Sequence, residues 1–150
     1  MFGPELDKFL AINRNSKIVF TNGCFDILHR GHVEYLNEAK SLGTVLIIGL
    51  NSDASVKRLK GPERPINSEQ DRKFVLENLR SVDFVQIFNQ DTPFELIKYI
   101  QPNVLVKGGD WSTDKIVGSD IVLSSGGIVK SLKFVNGFST TNIINRVKAD

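Results

Sequence analysis

Apolar and polar positions follow two rhythms along this chain. Short, nearly unbroken apolar runs occur at Lys17–Thr21, Thr44–Leu50, Phe84–Phe88, Val104–Val106 and Ile128–Phe134. Such runs predict strands buried on both faces. Between them, apolar residues recur at three- and four-residue spacing, which predicts helices packed on one side. Glu5–Arg14 predicts a short leading helix with Leu6, Phe9, Leu10 and Ile12 facing inward. Val33–Lys40 predicts a second helix, soon after the first strand. Ser68-Glu69-Gln70-Asp71 places a serine cap and an acid ahead of Phe74, Val75, Leu76 and Leu79. Thr92-Pro93-Phe94-Glu95 predicts a second capping box with proline at the first helical position, and Pro102 ends that helix. A last helix starts near Thr140 and carries Ile143, Ile144 and Val147.

Alternating strands and helices predict an α/β fold. We expect a Rossmann-like, doubly wound sheet of five parallel strands, with helices on both faces and right-handed crossovers. The expected strand order is 3-2-1-4-5. No repeat, low-complexity tract or linker interrupts residues 1–150, which read as a single domain. Ligands in such sheets bind beyond the carboxyl ends of the strands, where the order reverses. Here that place lies between strands 1 and 4.

Composition changes the picture little. Hydrophobic content of 41% and charged content of 24% are ordinary for a globular chain. Net charge is +2, from 19 basic and 17 acidic side chains, too small an excess to call for nucleic acid or a membrane as partner. The lone Cys24 excludes an internal disulfide and a multi-cysteine zinc site. Met1–Asp7 has acids where a secretory signal needs bases, and no apolar run reaches a membrane span. A cytoplasmic protein is expected.

The chemistry concentrates after strand 1. Thr21-Asn22-Gly23-Cys24-Phe25-Asp26-Ile27-Leu28-His29-Arg30-Gly31-His32 holds both histidines of the chain, where a strand ends and a helix begins. Free N–H groups and a positive partial charge suit that place to phosphate. Two imidazoles there can donate to the same phosphate oxygens. After strand 4 comes Lys107-Gly108-Gly109-Asp110-Trp111. As plain structure it is a tight turn. As a site it lets the backbone approach a nucleotide, with Lys107 and Asp110 alongside. Trp111 either stacks on a ligand or packs.

Asn51-Ser52-Asp53 follows strand 2, and Lys57, Arg58, Lys60 and Arg64 come soon after. These cations are either a solvated loop or a reach over phosphates, with Arg58 facing solvent. Gly137-Phe138-Ser139-Thr140-Thr141-Asn142 opens the last helix. Its hydroxyls exceed what a cap needs and suit the β- and γ-phosphates. Asp26 reads as a loop organiser and Cys24 as a packing residue.

The pattern G-x-F-D-x-x-H-x-G-H resembles the HxGH signature of the cytidylyltransferase-like nucleotidyltransferases. Across Lys17–Val147 the ordered segments Thr21–His32, Leu50–Gly61, Arg64-Pro65-Ile66, Leu105–Asp110 and Phe138–Ile144 are similar to the adenylyltransferases of ADP-heptose biosynthesis. That resemblance implies the reaction of ATP with D-glycero-β-D-manno-heptose 1-phosphate to give ADP-heptose and diphosphate, for lipopolysaccharide or another surface glycan. It implies His29, His32 and Lys60 as catalytic residues. Gly23, Cys24, Phe25, Gly31, Lys107, Gly108, Asp110, Ser139, Thr140 and Thr141 would bind nucleotide, and Asn51, Lys57 and Arg64 the acceptor. Mg²⁺ would be held through phosphate oxygens, with no protein metal ligand assigned. A homodimer is implied. In many bacteria this unit is fused behind a sugar kinase; 150 residues leave no room for one, so a stand-alone form is expected. Cytidylyltransferases acting on glycerol 3-phosphate have an arginine a few residues upstream of R-T-x-G-I-S-T-T's serine, where this chain has Phe134. The residues themselves leave the base and sugar open: a cytidylyl- or guanylyltransferase would keep most of them. A nucleotide-binding regulatory module without catalysis is the alternative of another class.

Overall fold

The computed structural model describes residues 2–134 and 137–149. Five strands form one sheet: β1 (Ile18–Gly23), β2 (Val45–Asn51), β3 (Phe84–Phe88), β4 (Val104–Gly108) and β5 (Ile128–Leu132). Their order is β3-β2-β1-β4-β5, every pairing parallel, as expected from the alternation of elements. Among the described residues seven α-helices accompany them: α1 (Pro4–Ile12), α2 (Arg30–Ser41), α3 (Asp53–Lys60), α4 (Glu69–Glu77), α5 (Phe94–Ile100), α6 (Ser119–Ser124) and α7 (Thr140–Ala149). Among the described residues no helix is long and apolar enough to cross a membrane.

Successive strand residues point to opposite faces, so one apolar run feeds two cores. Val19, Leu46, Ile48, Val104 and Val106 join Leu36 and Ala39 of α2 and Leu76 of α4 in one core. Their neighbours Phe20, Ile47 and Leu105 join Leu6 of α1 and Leu96, Ile97 and Ile100 of α5 in the other. Both faces of the sheet are thereby covered, which parallel strands require.

Several local expectations need correction. Residues 53–60 form a helix rather than a loop; Ser52 caps it, its hydroxyl accepting from the Ser55 N–H at 3.1 Å. Pro93, not Thr92, occupies the cap of α5, and the capping box is not formed. In α4 the serine cap holds, but Leu76 alone of the apolar face is fully buried, while Phe74 and Val75 are exposed. Ile12 is exposed, beyond the reach of the core that takes Leu6, Phe9 and Leu10. In α7 Ile143 and Ile144 are half-buried, Val147 is exposed, and no residue is fully buried.

Candidate active site

A cleft of about 740 Å³ opens beyond the carboxyl ends of β1 and β4. Its size is in the range of small-molecule sites. Gly23, Cys24, Phe25, His29, Gly31 and His32 line it from the β1–α2 segment. Lys107 and Gly108 face it from β4, Asn51 from β2, and Lys60 and Arg64 from α3 and the segment after it. Ser139, Thr140 and Thr141 close it from α7.

The two imidazoles stack, with ring centroids 3.9 Å apart. The backbone N–H of His29 donates to His32 Nδ1 at 3.3 Å, which leaves the His32 proton on Nε2. Burial, reinforced by the charge of His29, pushes the His32 pKa down to about 4. Burial also holds His29 below its ordinary value. At neutral pH both rings are therefore neutral N–H donors until an anion arrives. Buried His29 Nδ1 has no hydrogen-bond partner among the described residues. The glycine between the histidines is a packing requirement. A Cβ on Gly31 would stand 2.9 Å from Phe138 Cβ and 3.0 Å from the His29 ring. Any side chain there would separate α7's lead-in from α2.

Two buried groups hold these segments together. Asp26 accepts from Arg64 Nε at 2.9 Å and from the backbone N–H groups of Ile66 and Asn67. Burial alone would raise its pKa; the Asn67 and Ile66 N–H groups and Arg64 overcome that and hold it below the usual carboxylate value. Asp26 is thus the loop organiser its position suggested. It also fixes Arg64 at the cleft. Arg72 of α4 escaped the sequence reading. Its fully buried guanidinium donates to the carbonyls of Cys24 (2.7 Å), Asn51 (2.9 Å) and Asn67 (3.0 Å) and to Asp53 (2.8 Å). It ties the ends of β1 and β2 to the loop that carries Arg64. On sequence alone it was one more polar residue behind a capped helix start.

Other placements differ from expectation. Lys57 and Asp110 are exposed and do not line the cleft. Lys60 lies one turn beyond buried Val56, on the same helix row, whereas Lys57 is turned about 100° away. Arg58 does not simply face solvent: it pairs with Asp91 at 2.8 Å. Asp91, Thr92 and Pro93 line the cleft from the β3–α5 loop, where the sequence had shown only a helix cap. Ser139 does cap α7, accepting from the Asn142 N–H at 2.9 Å, and Thr140 donates to the Ile27 carbonyl at 3.1 Å. Trp111 lines the cleft, its indole N–H donating to the Gly108 carbonyl at 3.1 Å. Phe134, also in the lining, leans on Gly108 where a Cβ would come within 2.8 Å of its ring.

Burial pushes the Cys24 thiol up, against the pull of Lys60, Arg72 and Arg64. It is not a thiolate at neutral pH and no nucleophile. Burial pulls Lys107 down. Among the described residues no cluster of three or more histidine, cysteine or acidic side chains could cage a metal. What the cleft offers is cations and N–H donors around a space lined by glycines, a fit for a polyphosphate.

Known proteins agree with that chemistry. The model of the family described as cytidylyltransferase-like matches residues 20–146. The bifunctional protein HldE of Aliarcobacter butzleri is 57% identical over 146 residues, covering 96% of this chain and 30% of that protein. HldE of Nitratiruptor sp. is 57% identical over 136 residues, covering 91% of this chain and 29% of that protein. The chain thus spans about 30% of the length of these relatives. Among solved structures, the lipopolysaccharide core biosynthesis protein from Thermoplasma volcanium superposes with a TM-score of 0.63 at 28% identity, covering 80% of this chain and 97% of that one. Pantothenate synthetase from Thermus thermophilus shares the fold, with a TM-score of 0.52 at 17% identity over 89% of this chain and 64% of that one. With the family match running from β1 into α7, the chain belongs to the cytidylyltransferase-like family and is a nucleotidyltransferase.

Proposed function

We propose that the chain transfers the adenylyl group of ATP to D-glycero-β-D-manno-heptose 1-phosphate, releasing diphosphate and forming ADP-heptose for a surface glycan. The observation that carries this reading is the 57% identity to HldE proteins across a segment that includes every wall of the cleft. Phe134 supports it, since the arginine of the glycerol 3-phosphate cytidylyltransferases is absent there. The single domain would act in the cytoplasm as a homodimer.

A phosphate oxygen of the sugar attacks the α-phosphorus in line. The bond from that phosphorus to the bridging oxygen breaks, and the electron pair leaves with diphosphate. The acceptor is already an anion, so no base is needed. The cost lies in bringing two polyanions together, and catalysis is positioning and charge stabilisation. His29 and His32 would donate to the transferring phosphoryl group, and their protonated forms become accessible as the anion offsets burial. Lys60 and Arg64 would take the acceptor phosphate. Lys107, Gly108 and the backbone at Gly23–Phe25 would hold the nucleotide, and Ser139–Thr141 the leaving diphosphate. ATP would enter as its Mg²⁺ complex. Both Asp26 oxygens are occupied by N–H donors, so Asp26 would not hold the ion, and most of its ligands would be phosphate and water oxygens.

Diphosphate release from four nucleoside triphosphates, each paired with heptose 1-phosphate, glycerol 3-phosphate and other sugar phosphates, tests the proposal. ATP with heptose 1-phosphate should give the highest kcat/KM. Preference for CTP or GTP would overturn the substrate pair and keep the reaction class. Nucleotide binding without turnover for any pair would favour a regulatory module.

A further inference from the structure

We propose that Asp91 is a specificity-determining residue whose carboxylate receives hydroxyl groups of the acceptor sugar. The inference rests on the sugar-phosphate reading given above. Lys60, Arg64, Lys107 and Lys115 give the cleft lining a cationic character suited to phosphates. A carboxylate repels phosphate, so an acid left free in such a cleft marks the part that holds something uncharged. Two acids line it, Asp26 and Asp91. Asp26 is 1% exposed and accepts at both oxygens. Asp91 is 62% exposed, and only its Oδ1 is engaged, by Arg58 Nε at 2.8 Å. Its second oxygen takes no donor among the described residues. An ionised carboxylate is an acceptor only, and hydroxyls are the donors a sugar supplies.

The carboxylate is also held in place. Arg58 donates to Asp91 and to the Asn89 carbonyl. Ser55 Oγ donates to the Gln90 carbonyl at 3.0 Å, and Ser52 Oγ to Asn89 Oδ1 at 2.7 Å. All four hydrogen bonds come from α3 or its cap, and α3 ends at Lys60. A cation for the acceptor phosphate and an acceptor for its hydroxyls therefore sit on one framework. The ribose of the nucleotide also has vicinal hydroxyls. Against ribose stands the sheet order: β3 lies three strands from β4, roughly 14 Å at ordinary strand spacing, while Lys107 and Gly108 extend from β4.

Steady-state kinetics of wild type, Asp91→Asn and Arg58→Gln with ATP, 2′-deoxy-ATP and heptose 1-phosphate decide the matter. Loss of hydrogen bonds to a charged acceptor predicts a KM for the sugar phosphate raised roughly 10- to 100-fold in Asp91→Asn. The KM for ATP should stay within about twofold, and Arg58→Gln should change the sugar KM far less. An unchanged sugar KM in Asp91→Asn overturns the inference alone. So does an equal rise in Arg58→Gln, which would reduce Asp91 to a staple of the loop. A raised KM for ATP that disappears with 2′-deoxy-ATP would move the contact to ribose and also overturn it. Absence of wild-type turnover with every sugar 1-phosphate would overturn the proposed function, and this inference with it.

Discussion

Of the helices that begin at the cleft, α2 and α7 are anchored in opposite ways. α2 starts at the histidine segment and drives Leu36 and Ala39 fully into the core. Each large side chain so buried contributes about 1.5–3 kcal/mol. The segment before α2 is fastened further by Asp26 and Arg72. α7 buries no residue fully, only half-burying Ile143 and Ile144, and its start is held by the Thr140–Ile27 hydrogen bond and by Phe138 against Gly31 and His29. The stiff start carries the imidazoles, which the proposed mechanism would need in place before substrate arrives. The loosely held start carries Ser139–Thr141, which in the proposed mechanism would grip and then release the leaving diphosphate. Low local stability belongs to elements that must move.

The largest effect that could break this contrast is expected at Arg72. Arg72→Met leaves Asp53 and three carbonyls without their donor. Each buried carbonyl left without a donor costs about 1–3 kcal/mol, while Asp53, 36% exposed, loses less, so a total loss of about 3 kcal/mol is expected. Urea unfolding should show that loss; a loss below about 1 kcal/mol would mean that α2's start owes its stiffness to the core alone.

Next come the imidazoles. His29→Ala and His32→Ala should each lower kcat by roughly 10²–10³-fold, the effect of losing one preorganised donor. Near-normal turnover in either variant at unchanged thermal stability would remove that ring from the mechanism.

A subtler effect follows from the His32 pKa of about 4. An unfolded chain binds a proton at this residue below about pH 6.5, whereas the folded chain resists it down to about 4. Stability should therefore fall as pH drops through that window. Thermal melts of wild type should lose more than those of His32→Asn between pH 6.5 and 4. Asp26, held below the usual carboxylate value, loses its contribution only at lower pH. Parallel curves for the two proteins would contradict the burial of His32.

The smallest effect on stability is expected at α7. Thr140→Val should cost about 0.5–1.5 kcal/mol, the worth of one hydrogen bond. Hydrogen exchange should show α7 amides opening faster than those of α2 in both proteins. A loss comparable to that of Arg72→Met would place α7 in the cooperative core and erase the contrast.

The sheet was legible because strands buried on both faces leave long apolar runs, and alternating helices leave few orders for them. Phe84–Phe88 has the bounds the sequence suggested. The histidine segment was legible because unusual residues are crowded into twelve positions of one loop. Arg72 was not, since its four acceptors are brought together only by the fold. Lys57 and Lys60 looked alike until α3 formed; helical rotation then sent one to solvent and the other to the cleft. Asp91 was hidden because its neighbours matched a capping pattern that the backbone does not adopt.

Trp111 is the chain's single tryptophan, and it lines the cleft at 49% exposure. Lys107 Nζ stands 5.9 Å from its ring. All emission under tryptophan-selective excitation thus originates at one point in the site, beside a charge that bound phosphates would neutralise. The protein is its own optical probe. Titrations with ATP, tripolyphosphate or adenosine could be followed without label or coupled assay, and stopped-flow traces would time arrival and departure of each in turn.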